Sequence, residues 1–153
     1  MTNFEAEQFR ADSGWISPGF TVLCAGLPAE GPRVLAAAAG AQGLVLVCGA
    51  EAPTLPIPEG CAPVRCDLGA LPLLSHAVDA AVLPATLLAD GARQAETRRV
   101  LTPGGTLVAL LPGNQHAGDL VGELRALDFA VEPPRAGDGV LLATAPHTGE
   151  GLP

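Results

Sequence analysis

The sequence predicts a doubly wound α/β domain built on a mainly parallel, seven-stranded sheet that closes in an antiparallel hairpin. Three observations predict it. Short uninterrupted apolar runs alternate with helix-like stretches, the pattern of parallel strands covered on both faces by crossover segments. The last two apolar runs are joined by a turn containing Pro and Gly, and strands connected in that way pair antiparallel. A chain of 153 residues has the length of one domain, which buries roughly 70% of the surface its unfolded chain exposes and needs no metal or disulfide staple.

Residues 1–19 are polar and end in Ser17-Pro18-Gly19, a turn signal, so they read as an N-terminal arm. Phe20 to Cys24 is the first strand, followed by a turn through Gly26 and Pro28 and a helix from Pro32 to Ala39 that stops at Gly40. Leu44 to Cys48 is apolar throughout, as expected of a central strand. The three prolines between Ala52 and Gly60 exclude a helix there. Ala62 to Cys66 supplies a third strand ending at Asp67, and Val78 to Leu83 a fourth, begun at Asp79. Ala89 to Val100 has high helix propensity and is stopped by Pro103-Gly104-Gly105, after which Thr106 to Leu111 is the fifth strand. Asp119 to Leu127 carries Leu120, Val121, Leu124 and Leu127 at helical spacing, and Phe129–Val131 and Val140–Ala143 are the closing strands. A domain over residues 20–145 and a flexible tail over 146–153 complete the expected organisation.

Sixteen acidic against eight basic residues give a net charge of −8, which repels phosphate backbones and anionic lipid, so nucleic acid and membrane are not expected partners. No apolar run approaches the roughly 20 residues of a transmembrane helix. The acidic N-terminus lacks the basic start and apolar core of a signal peptide, and a cytoplasmic location is expected. Cys24, Cys48, Cys61 and Cys66 form no C-x-x-C pair and have no histidine at zinc-ligand spacing, so reduced thiols and no metal site are expected. The phosphate-loop, nucleophile-elbow and dinucleotide fingerprints are all missing. His76, His116 and His147 fall in separate loops as solvated side chains, although Asn114, Gln115 and His116 follow the fifth strand, at the edge where open α/β sheets bind ligands. Trp15 in the arm is compatible with a cleft cap, body packing or a subunit contact.

The stretch Glu96-Thr97-Arg98-Arg99-Val100-Leu101-Thr102-Pro103-Gly104-Gly105-Thr106-Leu107 closely resembles the E-x-x-R-V-L-x-P-G-G-x-L signature of class I S-adenosylmethionine-dependent methyltransferases. Cys66-Asp67-Leu68 and the Leu71-Pro72 and Val78-Asp79 pairs after it look like the family segment leading to the fourth strand, and Leu124-Arg125-Ala126-Leu127-Asp128-Phe129 like its last helix. The resemblance spans residues 20–145 and implies a Rossmann-like fold with S-adenosylmethionine as cofactor. It puts Asp67 near the adenine amino group with Leu68 beside it, and gives Asp79 the role of supporting its strand.

The cofactor loop departs from the pattern. Where the family has D-x-G-x-G-x-G, this chain reads Cys24-Ala25-Gly26-Leu27-Pro28-Ala29-Glu30. Gly26 keeps the first glycine; Pro28 and Glu30 replace the others, with Gly31 one place beyond. Cys24 removes the acid that would receive the cofactor's amino group. The acid expected after the second strand, where it would hold the ribose hydroxyls, is met only by Glu51. Gly26, Glu51, Asp67 and Leu68 are therefore the candidate cofactor residues, and no catalytic residue is assigned. Two functions follow from the resemblance: a methyltransferase-like protein, acting on a small molecule or an unknown acceptor and with weakened or lost cofactor binding, or an inactive scaffold that works through homodimerisation or an active relative.

Overall fold

The structure is a computed structural model and describes residues 16–27, 30–49, 59–88, 90–111, 118–132 and 140–146. The apolar runs become β1 (Thr21–Cys24), β2 (Leu44–Gly49), β3 (Cys61–Arg65), β4 (Val78–Pro84), β5 (Leu101–Leu110), β6 (Ala130–Val131) and β7 (Val140–Thr144). All seven join one sheet in the order β3-β2-β1-β4-β5-β7-β6. The first five are parallel to one another, and β7 runs antiparallel to both β5 and β6. This is the predicted doubly wound sheet with its closing antiparallel pair. The chain winds outward from β1 to β2 and β3, then crosses back to β4 and β5, so the winding reverses between β1 and β4.

Alternation along the strands divides the core into two layers. Val22, Cys24, Val45, Ala80, Val82, Val108 and Leu110 face one side, which α1 (Glu30–Ala39) covers with Leu35 and Ala39. Leu23, Ala25, Cys48, Ala81, Leu83, Leu107 and Ala109 face the other, packed with Val100 of α2 (Gly91–Val100) and Leu124 of α3 (Gly118–Ala126). The first helix starts two residues earlier than Pro32. That is compatible with proline, because first-turn N–H groups have no helical partner. Gly40, at φ +75°, ends it. The ordered body also reaches back into the expected arm: Ile16 is buried in the α1 layer, and the Gly19 N–H donates to the Ala39 carbonyl at 2.8 Å.

Pro103-Gly104-Gly105 neither stops α2 nor precedes β5. The helix starts at Gly91, N-capped by Asp90, and passes into β5 at Leu101, with the Pro-Gly-Gly segment as an excursion inside the strand. Val78 pairs with Leu101 but Ala80 already pairs with Thr106, so the intervening residues loop out. Gly104 takes φ +78°, and a Cβ on Gly105 would lie 2.9 Å from the Thr102 carbonyl oxygen and 3.0 Å from that of Asp79. Both glycines are therefore steric requirements of the excursion.

Asp79 does what the sequence reading assigns it. Its Oδ2 accepts the Thr21 N–H at 2.9 Å, joining the beginnings of β4 and β1 at the edge opposite the ligand edge. Asp79→Ala is expected to lower stability by about 1.5 kcal/mol by leaving that N–H unpaired. Urea unfolding checks this, and Asp79→Asn, which keeps an acceptor, should recover most of the loss.

Candidate functional site

In an open α/β sheet the carboxyl ends of the strands, at the point where the winding reverses, form the crevice that binds ligands. Here that point lies between β1 and β4. Cys24 closes β1 opposite Val47 and Val82, fully buried in the α1 layer, and burial raises its thiol far above the ordinary range. The position is therefore a neutral packing residue, with no charge to offer a ligand.

Gly26 follows at φ +69° and is exposed. A Cβ there would fall 2.7 Å from Leu87 Cδ1 and 3.2 Å from Pro84 Cγ, so these two side chains lie directly against the glycine. Pro84 ends β4, and Leu87 sits on a 3-10 turn, Ala85–Leu88, that the sequence reading lacks. Gly31 is buried in the first turn of α1 beneath Leu27, whose Cβ would be 2.8 Å from an added methyl. It serves loop packing and does not open the crevice. Pro28, Glu51, Asn114, Gln115, His116, His147 and Trp15, like the Glu30 side chain, lie outside the described residues.

β2 runs to Gly49, one residue further than expected, leaving Glu51 two residues beyond the strand end. Cys48, near that end, is buried against the core, and its thiol is pushed up to about 12, chiefly by burial and then by the neighbouring Cys66. Cys61 lies across the sheet, 3.6 Å from the Pro32 carbonyl oxygen. All four cysteines are free thiols.

Asp67 and Leu68 follow β3 at the same edge. Asp67 is exposed, and its Oδ1 accepts the Gly69 N–H at 2.9 Å while its carbonyl accepts the Ala70 N–H at 2.9 Å, a local turn that any Asp-x-Gly can make. Leu68 turns inward against the core layer. The sheet thus brings Gly26, Asp67 and Leu68 to one edge, with Gly26 and Asp67 two strand spacings apart, about 10 Å.

The loop bearing Asp67 is fastened by residues known from the sequence only as part of a signature. Arg99 Nε donates to Glu96 Oε2 at 2.8 Å and its Nη2 to Oε1 at 2.9 Å. The guanidinium also reaches the carbonyls of Leu71 at 3.0 Å and Leu73 at 2.9 Å, while Glu96 Oε1 accepts the Leu71 N–H at 2.8 Å. Arg99 holds the Glu96 carboxyl below its ordinary value. His76 is exposed with φ +61°, and its N–H donates to the Arg99 carbonyl at 2.9 Å, so its part is in the backbone turn. Gln94, buried, donates from Nε2 to the Leu88 carbonyl at 2.8 Å and to Glu123, anchoring the 3-10 turn between α2 and α3. Among the described residues no group of three or more His, Cys, Asp or Glu gathers as metal ligands, and no helix is long and apolar enough to cross a membrane.

No family model matches the chain, and no curated protein matches it in sequence. Solved structures do. A SAM dependent methyltransferase from Aquifex aeolicus superposes with a TM-score of 0.69 at 16% identity, over 92% of this chain and 88% of that one. The [4+2]-cyclase SpnF gives 0.67 at 17% identity, over 95% and 80%. The complex between the Haloferax volcanii Trm112 methyltransferase activator and a methyltransferase gives 0.66 at 14% identity, over 95% and 93%. The chain has the class I S-adenosylmethionine-dependent methyltransferase fold.

Proposed function

We propose that this chain takes adenosyl compounds at the carboxyl edge of its sheet, binds S-adenosylmethionine weakly, and is not an efficient methyltransferase by itself. The observation that carries the reading is Cys24: the place from which an acid would meet the cofactor's ammonium is a fully buried, neutral thiol. The nucleoside end fits better, with the exposed Asp67 carboxylate at the end of β3 and Glu51 beyond β2 as the proposed contacts. The Aquifex aeolicus neighbour, a SAM dependent methyltransferase, supports the choice of ligand, while the cyclase neighbour is a reminder that this fold alone does not fix the reaction. Cys24 offers no charge to the amino-acid end of S-adenosylmethionine, so efficient methyl transfer by the isolated chain is not expected.

Losing a charge-assisted contact and glycine-turn donors, at about 1 to 3 kcal/mol each, shifts a micromolar site toward a dissociation constant on the order of 1 mM. Calorimetric titration with S-adenosylmethionine and with adenosine checks this, using a Glu51→Ala, Asp67→Ala double variant as control. Saturable weak binding that the double variant loses is the expected result. Micromolar affinity for S-adenosylmethionine would overturn the weakness, and silence toward every adenosyl compound would overturn the site.

A further inference from the structure

The crevice is chemically uneven, and that unevenness selects a ligand. At one end stands the exposed carboxylate of Asp67; at the other, Leu87 Cδ1 and Pro84 Cγ and Cδ lie against Gly26, with Cys24 buried behind. We infer that this site prefers adenosine thioethers whose sulfur carries a small apolar group over those carrying a charged amino-acid chain, and that Leu87 sets the preference. The inference rests on the adenosyl reading above and goes beyond it.

A zwitterionic chain brought against Leu87 and Pro84 would give up water from both an ammonium and a carboxylate to side chains that carry neither a donor nor an acceptor, and burying unpaired charge is strongly unfavourable. A methyl group placed against the same surface loses no polar hydration and gains apolar contact. The two walls differ in rigidity. Pro84 is fixed by its ring and by its place at the end of β4, paired with Leu110 of β5. The contact from Leu87 is made by the tip of a flexible side chain, which can rotate aside, so shortening this residue should admit a longer substituent.

Methylthioadenosine and S-adenosylhomocysteine test this directly, because they are identical up to the sulfur and differ only in what it bears beyond. On the wild-type chain we expect methylthioadenosine to bind at least about tenfold more tightly by calorimetry, a factor well within what one unpaired polar group produces. Leu87→Ala should reduce that ratio severalfold by improving S-adenosylhomocysteine binding. Equal or tighter binding of S-adenosylhomocysteine to the wild type would overturn the inference and leave the adenosyl reading standing. An unchanged ratio in folded Leu87→Ala would overturn the role of Leu87. If neither compound binds while the protein is folded, the adenosyl reading itself fails. The wild-type ratio remains decisive even if the variant does not fold.

Discussion

Gly43→Ala is expected to destabilise the fold by about 3 kcal/mol, near the upper end for overpacking, and to lower the melting temperature by roughly 10 °C. Gly43 lies just before β2, where the end of α1, the turn into β1 and the start of β2 meet. An added Cβ would lie 2.5 Å from the Ala39 Cβ, 2.6 Å from the Ala39 oxygen and 2.8 Å from the Phe20 oxygen. None of these can give way cheaply. Ala39 is buried, its carbonyl accepts the Gly19 N–H at 2.8 Å, and the Phe20 carbonyl accepts the Leu44 N–H at 3.0 Å. Relief would break one of these bonds or push α1 off the sheet and disturb the register of β1 with β2, which positions Gly26. Thermal and urea unfolding measure the loss. Gly122→Ala is the control: it sits exposed in α3 with nothing within 4 Å of an added Cβ, and should be neutral or stabilising by up to about 1 kcal/mol.

What the sequence makes legible, and what it hides, follows from how local each interaction is. Leu44-Val45-Leu46-Val47 reads as a strand because a strand covered on both faces favours apolar residues at consecutive positions, although in the structure Val45 alone of the four is fully buried and Leu44 is exposed. Pro103-Gly104-Gly105 is legible as a break but not as an excursion within β5, because the excursion is defined by the Asp79 carbonyl and by the end of β7. Glu96 and Arg99 stand out as a motif, yet their targets are backbone carbonyls more than 20 residues earlier, which carry no side-chain signature. Leu87 looks like any apolar residue after a strand. Only the fold reveals that it lies on Gly26.

The candidate residues show the same division. Gly26 is legible because a strand end followed by a helix calls for a positive-φ turn, and Asp67 because a strand must release its chain at the ligand edge. Cys24 is instructive in a different way. Its substitution for an acid reads as a lost contact in the sequence; in the structure it is also a gained packing position, at 0% exposure between α1 and the sheet. Restoring an acid at Cys24 would therefore bury a carboxylate among apolar side chains, so the altered ligand edge is tied to the composition of the core.

Arg99→Ala is expected to cost about 2 kcal/mol, because it leaves two carbonyls and a carboxylate without their charged donor. The loss should be concentrated in one loop. Amide hydrogen exchange at Leu71, whose N–H donates to Glu96, should accelerate, while β4 and β5 stay protected. Because Asp67 opens this loop, affinity for any adenosyl ligand should fall with it. Arg99→Lys should recover only part of the stability, since an ammonium cannot reproduce the two-pronged contact with Glu96 and still reach both carbonyls. A pH profile separates this clamp from ordinary packing. Arg99 lowers the Glu96 pKa in the folded chain from its ordinary value of 4.5, so the contribution is fully present above that value and disappears as pH falls through the lowered one. The wild type should therefore lose more stability than Arg99→Ala as pH falls from above 4.5 through the lowered value, and the two unfolding curves should converge on acidification. Parallel curves across that window would mean that the Glu96–Arg99 pair adds nothing to the holding of the loop.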